Sequence, residues 1–435
     1  MNKNKDAIAN VLARRVWDSR GRPTIEVEVR LAGGASGRAI APAGASKGSG
    51  EAVDLRDGGP RFGGLDVTRA VAGVNDEIAR ILRGFNPHNQ SQIDGALTAL
   101  DGTPDRSRLG ANAIVATSMA VAHAAAASRG MPLWQSLRAA PGAQLPLPEI
   151  QIFGGGAHAQ RRVDIQDFMV IAIGATEYGQ ALEWTAEVYR AGGELLAAAG
   201  RLSGVADEGG YWPSFDSNEQ GLEMLLRAIE RAGFVPGDEM AIAVDVAASQ
   251  FGRGGHYRLG RDGRELDSDG MCELLLNWLR RFPIVSIEDP LAEDDAASFA
   301  GFTAAVGSTV QVVGDDFLVT NAGRIDTAAR DAACNAALIK PNQAGTLSEA
   351  EAALTAARSA GWGAIVSARS GESEDTTIVH LAVGWGVPQL KVGSISRSER
   401  TAKWNEALRM AETIGGKLPP RSSFPWGSKA RSNPR

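Results

Sequence analysis

The 435-residue sequence is poor in cysteine, with only Cys272 and Cys334, each in an apolar context. Two isolated thiols cannot build the disulfide framework of a small secreted protein, so we interpret both as core residues in a reducing compartment. No apolar run has the length that a membrane-spanning helix needs, and the opening segment, MNKNKDAIANVLARR, contains no signal-peptide core. These absences predict a cytoplasmic protein that does not enter a membrane.

The sequence also lacks an excess of basic residues, and its formal net charge is −6. Because proteins that bind nucleic acid present a basic surface, we expect no nucleic-acid partner. The hydrophobic fraction of 44% and the charged fraction of 22% are ordinary for a globular protein. The length exceeds one typical domain and suits a barrel with a smaller partner domain.

Short apolar runs that end in charged residues recur between residues 241 and 393. They are AIAVD, IVSIED, VQVVGDD, AALIK, AIVSARS and QLKVG, which carry Asp245, Glu288, Asp315, Lys340, Arg369 and Lys391 at or near their ends. Most intervals between them hold one amphipathic helix, such as SEAEAALTAARSAG at 348–361. Repeated strand–helix units of this kind predict parallel strands in a closed α/β barrel, with catalytic groups at the carboxyl ends of the strands.

Three acidic residues, Asp245, Glu288 and Asp315, follow consecutive predicted strands and would therefore converge at the mouth of the barrel. Three converging carboxylates repel one another unless a cation lies among them, and hard oxygen ligands favour Mg²⁺. Lys340 follows the next strand. It is either a salt-bridge partner or a base whose pKa is lowered by burial and a nearby cation, and the residues alone leave both interpretations open.

The chain before the barrel predicts a smaller α+β domain. TIEVEVRL at 24–31 and SGRAIAP from Ser36 read as neighbouring strands, and 66–85 has the spacing of an amphipathic helix. An Ala-rich helix at 110–129 is apolar on nearly all sides, so it should be buried against a sheet or a second subunit. We predict an α+β domain at 1–138, the α/β barrel at 139–418 and a flexible basic tail at 419–435.

Eight sequence blocks, in order, resemble those of the enolase family. They are DSRGRPT, APAGASKG, DEGGY, SIED, VGDD, LIKPNQ, SGESED and SRSERTAKWN, and the likeness extends from about Arg14 to about Glu412. The resemblance implies an enolase-type barrel and a Mg²⁺-dependent lyase of glycolysis, phosphopyruvate hydratase, which interconverts 2-phosphoglycerate and phosphoenolpyruvate. It also implies a small phosphorylated acid as substrate and a homodimer or higher homo-oligomer.

The resemblance also implies a role for each matched position. Lys340 would be the catalytic base, Glu208 the acid for the departing hydroxyl, and Asp167 a further catalytic residue. Asp245, Glu288 and Asp315 would hold one Mg²⁺, and Ser46 in the closing loop would ligate a second. The substrate-binding positions would be His158, Gln166, Glu288, Arg369, Ser370 and Lys391, with Arg369 and Ser370 on the phosphate.

The sequence departs from the family pattern at four positions around the expected site. Ala368 stands where the family has histidine, Asp167 replaces a glutamate, Gly154 replaces an asparagine, and Lys47 adds a cation to the closing loop. Neutral drift in a working enolase is one interpretation, favoured because every charge-bearing group survives. The second is a paralogue in secondary metabolism that acts on another phospho or phosphono substrate, of the carboxyphosphonoenolpyruvate-forming type. The third is a catalytically weak enolase fold that binds a partner.

Overall fold

The computed structural model describes residues 5–137, 144–261 and 263–427. The predicted domain boundary between residues 138 and 139 lies outside the described residues, as does the end of the predicted tail, 428–435.

The amino-terminal domain begins with a three-stranded antiparallel sheet. Its strands are β1 (Ile8–Trp17), β2 (Pro23–Leu31) and β3 (Ser36–Ile40), in the order β1-β2-β3. The prediction of two neighbouring strands from 24–31 and from Ser36 is confirmed by β2 and β3. The first strand was not predicted, because its buried and exposed residues do not alternate regularly.

The described part of this domain also contains five α-helices. They are α1 (Thr68–Gly73), α2 (Ala79–Leu82), α3 (Gln90–Asp101), α4 (Ala111–Ser128) and α5 (Leu133–Ser136). The single helix predicted over 66–85 occurs as α1 and α2, joined by a π-helical turn at Val74–Ile78.

Helix α4 is buried against β2 and β3, which confirms the prediction for the Ala-rich segment. A Cβ at Gly37 of β3 would lie 2.1 Å from the backbone nitrogen of Ala124, so only glycine permits this close approach. Among the described residues, α4 alone is long and apolar enough to cross a membrane, but 83% of it is buried inside the protein. Burial of this extent is typical of a core helix.

The second domain alternates strands and helices along the chain. Its elements are β4 (Leu147–Gly154), β5 (Asp167–Ile171), α6 (Tyr178–Ala198), α7 (Asn218–Arg231), β6 (Ala241–Asp245), β7 (Gly252–Arg253), β8 (His256–Arg258), β9 (Glu265–Asp267), α8 (Ser268–Arg281), β10 (Ile284–Glu288), α9 (Ala296–Val306), β11 (Gln311–Gly314), α10 (Ala322–Arg330), β12 (Ala336–Ile339), α11 (Pro341–Ala344), α12 (Leu347–Ser359), β13 (Gly363–Ser367), α13 (Thr377–Gly384), β14 (Gln389–Ser394) and α14 (Ser398–Ile414).

Eight of these strands close into a barrel in the order β4-β5-β6-β10-β11-β12-β13-β14. The barrel strands β6, β10, β11, β12, β13 and β14 run parallel, as the sequence predicted, and β14 closes the barrel in parallel on β4. Strand β5 is antiparallel to both of its neighbours, which was not predicted. The fold class is therefore the predicted one, an α/β barrel preceded by a smaller α+β domain.

Residues 419–427, which the sequence analysis assigned to a flexible tail, are packed against the barrel domain. They form two short 3₁₀ turns, and the rings of Phe424 and Trp426 stack with centroids 4.6 Å apart. Both side chains are buried and belong to the hydrophobic core. The prediction of a flexible tail rested on the Gly, Pro and Ser content of the segment and did not consider these two aromatic side chains, which are large enough to hold it against the core.

The interior of the barrel contains a carboxyl group that the sequence analysis did not single out. Glu149 on β4 pairs in register with Lys391 on β14 and is 1% exposed. Within the described residues, one of its carboxylate oxygens has no hydrogen-bond partner. Burial raises the pKa of Glu149 to about 7, although the Lys391 ammonium acts in the opposite direction.

The raised pKa predicts a pH-dependent gain in stability for Glu149→Gln. Because the folded-state pKa exceeds that of the unfolded chain, Glu149 supports folding below about pH 4.5, and this support is lost as the pH rises through about 7. The variant carries no such charge. In metal-free protein, we expect its free energy of unfolding to exceed that of the wild type by about 3 kcal/mol at pH 8. Urea denaturation at pH 5 and pH 8 measures this, and an equal difference at both pH values would contradict it.

Candidate active site

Asp245 and Glu288 lie side by side at the carboxyl ends of β6 and β10, where they are paired in register. The ammonium of Lys391 on β14 lies between them, 3.0 Å from Asp245 Oδ2 and 2.7 Å from Glu288 Oε2. Burial lowers the pKa of Lys391, but the two carboxylates more than offset this and hold it well above its usual range. Lys391 is therefore a buried cation that links β14 to β6 and β10 at the mouth of the barrel.

A second lysine faces the remaining predicted ligand. Lys340 directly follows β12, and its Nζ lies 2.5 Å from Asp315 Oδ2. Burial raises the pKa of Asp315 and lowers that of Lys340, yet their mutual attraction prevails, so the Asp315 pKa is lowered and the Lys340 pKa is raised. In this arrangement the proton resides on Lys340.

The carboxylates at the mouth of the barrel have the donor chemistry of a metal site. Burial, and next the neighbouring Asp245, raise the pKa of Glu288 well above its usual range, and its Oε1 has no hydrogen-bond partner among the described residues. Asp289, Asp315 and Asp316 also offer oxygens that lie within 4.8 Å of one another. Buried carboxylates that lack partners are satisfied by a bound cation, so these groups could hold a metal ion.

Asp289 holds the backbone of the two acidic residues that follow β11. Its two carboxylate oxygens accept hydrogen bonds from the backbone N–H groups of Asp315 and Asp316, at 2.9 and 2.7 Å. Its own backbone adopts a left-handed conformation, with φ of 40°, which is rare for residues other than glycine. Asp289 lies at the end of the predicted strand IVSIED, but no role for it was predicted from the sequence. The signal available was the pair of adjacent acidic residues in SIEDP.

Gln343 is a second residue that the sequence analysis missed. Its amide donates a hydrogen bond of 2.9 Å to Asp315 Oδ1 and one of 3.2 Å to Glu51 Oε1, and Thr320 donates to its side-chain oxygen. It lies on α11, one helical turn after Lys340, which places it on the same side of the site. That spacing within LIKPNQ was the signal available in the sequence.

His158, Asp167 and Glu208 form a buried cluster on the opposite side of the barrel mouth. His158 Nδ1 lies 3.1 Å from Asp167 Oδ1, and Nε2 lies 3.8 Å from Glu208 Oε1. Burial lowers the pKa of His158, but Asp167 and Glu208 raise it to about 8. Burial raises the pKa of Glu208. Gln151 also donates to Asp167 Oδ1. The cluster therefore places the imidazole of His158 between two buried carboxyl groups, and burial favours the neutral form of the Glu208 carboxyl.

The cluster is connected to the predicted metal ligands. Asp167 Oδ2 lies 3.6 Å from the ammonium of Lys391, and Asp167 pairs in register with Asp245. Gln166 donates a hydrogen bond of 2.8 Å to Asp245 Oδ2. These contacts bring Gln166 and Asp167 to the same end of the barrel as the acidic residues.

The expected phosphate corner contains Arg369 and Ser370 after β13. Arg369 is 4% exposed and donates to both carboxylate oxygens of Glu51 and to the backbone carbonyl of Ser46, at 3.1, 3.2 and 2.9 Å. Ser370 Oγ accepts a hydrogen bond from the backbone of Ala45 and lies 3.4 Å from His158 Nε2. The loop around Ser46 is therefore closed over this corner.

The four departures from the family pattern have different surroundings. Ala368 is buried, and its backbone N–H donates to the carbonyl of Lys391. A Cβ at Gly154 would lie 2.5 Å from the Cβ of Ala206, so the neighbouring packing requires glycine here. Lys47 is half exposed and lies 3.7 Å from Asp54, with which it forms an ion pair. The contacts of Asp167 are those of the buried cluster described above.

Nearly the whole chain is matched in comparisons with protein-family models and with a curated relative. The family model "Enolase, N-terminal domain" matches residues 8–137, and "Enolase, C-terminal TIM barrel domain" matches residues 142–420. A curated relative, Enolase 1 of Methylococcus capsulatus, is 45% identical over 413 residues, which cover 94% of this chain and 98% of that protein.

Proposed function

The chain belongs to the enolase family and is an enolase-type hydro-lyase, and we propose how its own residues interconvert 2-phosphoglycerate and phosphoenolpyruvate. The observation that carries the proposal is the arrangement at the barrel mouth. Lys340 is paired with Asp315, Lys391 lies between Asp245 and Glu288, and Glu208, whose pKa is raised by burial, lies in a separate cluster. A base, a charge partner for a developing anion and an acid are thus present in one site.

Lys340 is the proposed base. Its Nζ takes the proton next to the substrate carboxylate, and the electron pair of that C–H bond moves onto the carboxylate oxygens. Lys391 places a permanent positive charge where that negative charge develops, because its raised pKa keeps it protonated. Gln166 fixes the Asp245 side of this arrangement through its hydrogen bond to Asp245 Oδ2.

We assign Mg²⁺ to the carboxylates of Asp245, Glu288 and Asp315, and a second Mg²⁺ to Ser46. The unpartnered Glu288 oxygen and the oxygen-only donor set support this assignment. When bound, the cation would stabilise negative charge on the substrate oxygens and neutralise the Asp315 charge that keeps Lys340 protonated.

Glu208 is the proposed acid for the departing hydroxyl. Burial raises the pKa of Glu208 and so favours its neutral form, which can donate a proton as the C–O bond breaks and water leaves. His158 and Asp167 hold this group in place, since His158 contacts both carboxyl groups. Arg369 and Ser370 bind the phosphate, for which the planar guanidinium is suited.

The role of Gln343 predicts a loss of metal affinity in Gln343→Ala. The variant removes the hydrogen bond that orients Asp315, and residues that orient a metal ligand typically contribute 10- to 100-fold to affinity. We expect the half-saturating Mg²⁺ concentration for turnover to rise by about 10-fold or more, with kcat at saturating Mg²⁺ less affected. Asn342→Ala, at the adjacent buried position, is the control. An unchanged Mg²⁺ requirement in Gln343→Ala would contradict the assigned role.

The direct test of the proposed function is turnover of 2-phosphoglycerate by the purified protein with Mg²⁺, followed by the absorbance of the product double bond. Turnover of about 1 to 1000 s⁻¹ is expected for a working enzyme. If phosphoenolpyruvate binds but 2-phosphoglycerate is not turned over, the departures at Ala368 and Asp167 have changed the substrate. A phosphono analogue would then be the next substrate to assay.

We further propose that the chain acts in the cytoplasm as a homodimer or higher homo-oligomer. Exposed aromatic side chains support a protein–protein contact: Trp17 is 51% exposed and Phe62 is 39% exposed, with their rings packed edge to face. Sedimentation of the purified protein measures the oligomeric state, and a monomer at micromolar concentration would contradict this proposal.

A further inference from the structure

The buried guanidinium of Arg369 has an acidic partner within the chain. Glu51, whose side chain is 7% exposed, accepts hydrogen bonds from both terminal nitrogens of Arg369 in the paired geometry that arginine also offers to phosphate. Glu51 Oε1 accepts two further hydrogen bonds, from the backbone of Gly48 at 3.1 Å and from Gln343 Nε2 at 3.2 Å. Four donors therefore converge on one carboxylate at the proposed phosphate position.

We propose that Glu51 is an internal counter-anion, which occupies the Arg369 guanidinium until the substrate phosphate replaces it. This inference rests on the proposed role of Arg369 in phosphate binding. A buried guanidinium without a partner is costly, so the phosphate-free site requires an anion. Once phosphate is present, two anions compete for one cation, and the carboxylate is the weaker of the two because it carries less charge.

Glu51 follows two exposed residues of its loop, Ser49 and Gly50, and its carboxylate would move toward solvent on that side when phosphate replaces it. The loop is also held from outside the site, where the backbone N–H and hydroxyl of Ser49 donate to Glu293 Oε2 at 2.8 and 2.9 Å, and Arg324 donates to the Ser49 carbonyl at 2.6 Å. Glu293 contacts the loop without contacting Arg369, so it provides a matched control.

The consequence for specificity concerns the charge of the ligand. An anion that enters the Arg369 site must compensate for the carboxylate that it displaces. Dianionic phosphate monoesters satisfy this requirement better than monoanions of similar size, because they gain more from the same guanidinium. Glu51 would therefore lower the affinity of the site for all anions, and dianionic ligands would offset this loss more fully than monoanions.

The experiment is calorimetric titration of inorganic phosphate into metal-free wild-type, Glu51→Gln, Glu293→Gln and Arg369→Lys protein. We expect phosphate to bind about 10-fold more tightly to Glu51→Gln, because the competing charge is gone while an amide oxygen still accepts from Arg369. Glu293→Gln should bind phosphate as the wild type does. Damage to the fold cannot produce a gain in affinity, so the expected result separates competition from a purely structural role.

Two other results have distinct meanings. Unchanged or weaker phosphate binding in Glu51→Gln, together with weakened binding in Arg369→Lys, would overturn the counter-anion role and leave the proposed function intact. Equal phosphate binding by the wild type and Arg369→Lys would overturn the phosphate role of Arg369 itself. Thermal unfolding of each variant establishes that the folded protein was titrated. Glu51→Ala, which also removes the charge and should also bind phosphate more tightly, provides a second variant if Glu51→Gln does not fold.

Discussion

Replacing Lys340 by alanine is expected to lower kcat by about 10⁴-fold, at the upper end of the contribution of a general base. The variant removes the nitrogen that accepts the substrate proton and leaves the Asp315 carboxylate without its 2.5 Å ion pair. Exchange of the α proton of 2-phosphoglycerate with deuterium from the solvent should be lost together with turnover, since both require proton abstraction. Mass spectrometry of the recovered substrate measures this exchange.

Lys340→Arg is the matched control for this prediction. Arginine retains the positive charge opposite Asp315, but its pKa is too high for it to act as a base at neutral pH. We therefore expect Lys340→Arg to retain stability and to be as inactive as Lys340→Ala. If Lys340→Arg kept substantial turnover, Lys340 would be a salt-bridge partner, the alternative that the sequence left open.

The second large effect is expected for Glu208→Gln, which should lower the rate of water elimination by about 10²- to 10⁴-fold. Glutamine has the shape of the protonated carboxyl, but its amide cannot give up a proton to the departing hydroxyl. Abstraction of the α proton does not require this group, so deuterium exchange into 2-phosphoglycerate should persist. Glu208→Gln and Lys340→Ala therefore separate the two halves of the reaction.

The pH dependence of the wild type provides an independent check on Glu208. Because its pKa is raised, the acid is protonated at lower pH, and elimination should slow as the pH rises through that value. The neighbouring His158, with a pKa of about 8, loses its charge in the alkaline range. In Glu208→Gln the acidic group is absent, so the dependence of elimination on pH should flatten. If the fall in the elimination rate with rising pH stayed the same in the variant, that fall would belong to another group.

The local pattern of apolar residues was sufficient to predict those strands and helices whose sequence signal lies within a few residues. The apolar runs before Asp245, Glu288 and Lys340 are β6, β10 and β12, because a strand buried on both faces reads as a continuous apolar run. Their regular alternation with helices was enough to predict the parallel part of the barrel, and therefore a common position for the charged residues that follow the strands.

Other features depended on contacts between distant parts of the chain. The antiparallel direction of β5 accompanies a connection from β4 that contains no crossover α-helix, and nothing in the five residues of the strand itself marks that direction. The packing of Phe424 and Trp426 depends on a surface built by the rest of the domain. Short segments therefore specified their own conformation, but not their direction or partners.

The site divides in the same way. The common position of Asp245, Glu288, Asp315, Lys340 and Lys391 could be predicted from the sequence, because each residue lies in or directly after its own barrel strand. Their pairing could not be predicted: Lys340 pairs with Asp315, Lys391 with Asp245 and Glu288, and Arg369 with Glu51 on a distant loop. The distances that set these pairs join residues up to 318 positions apart in the chain. Electrostatic pairing falls off over a few ångströms, so it is a property of the closed barrel and the loop folded over it.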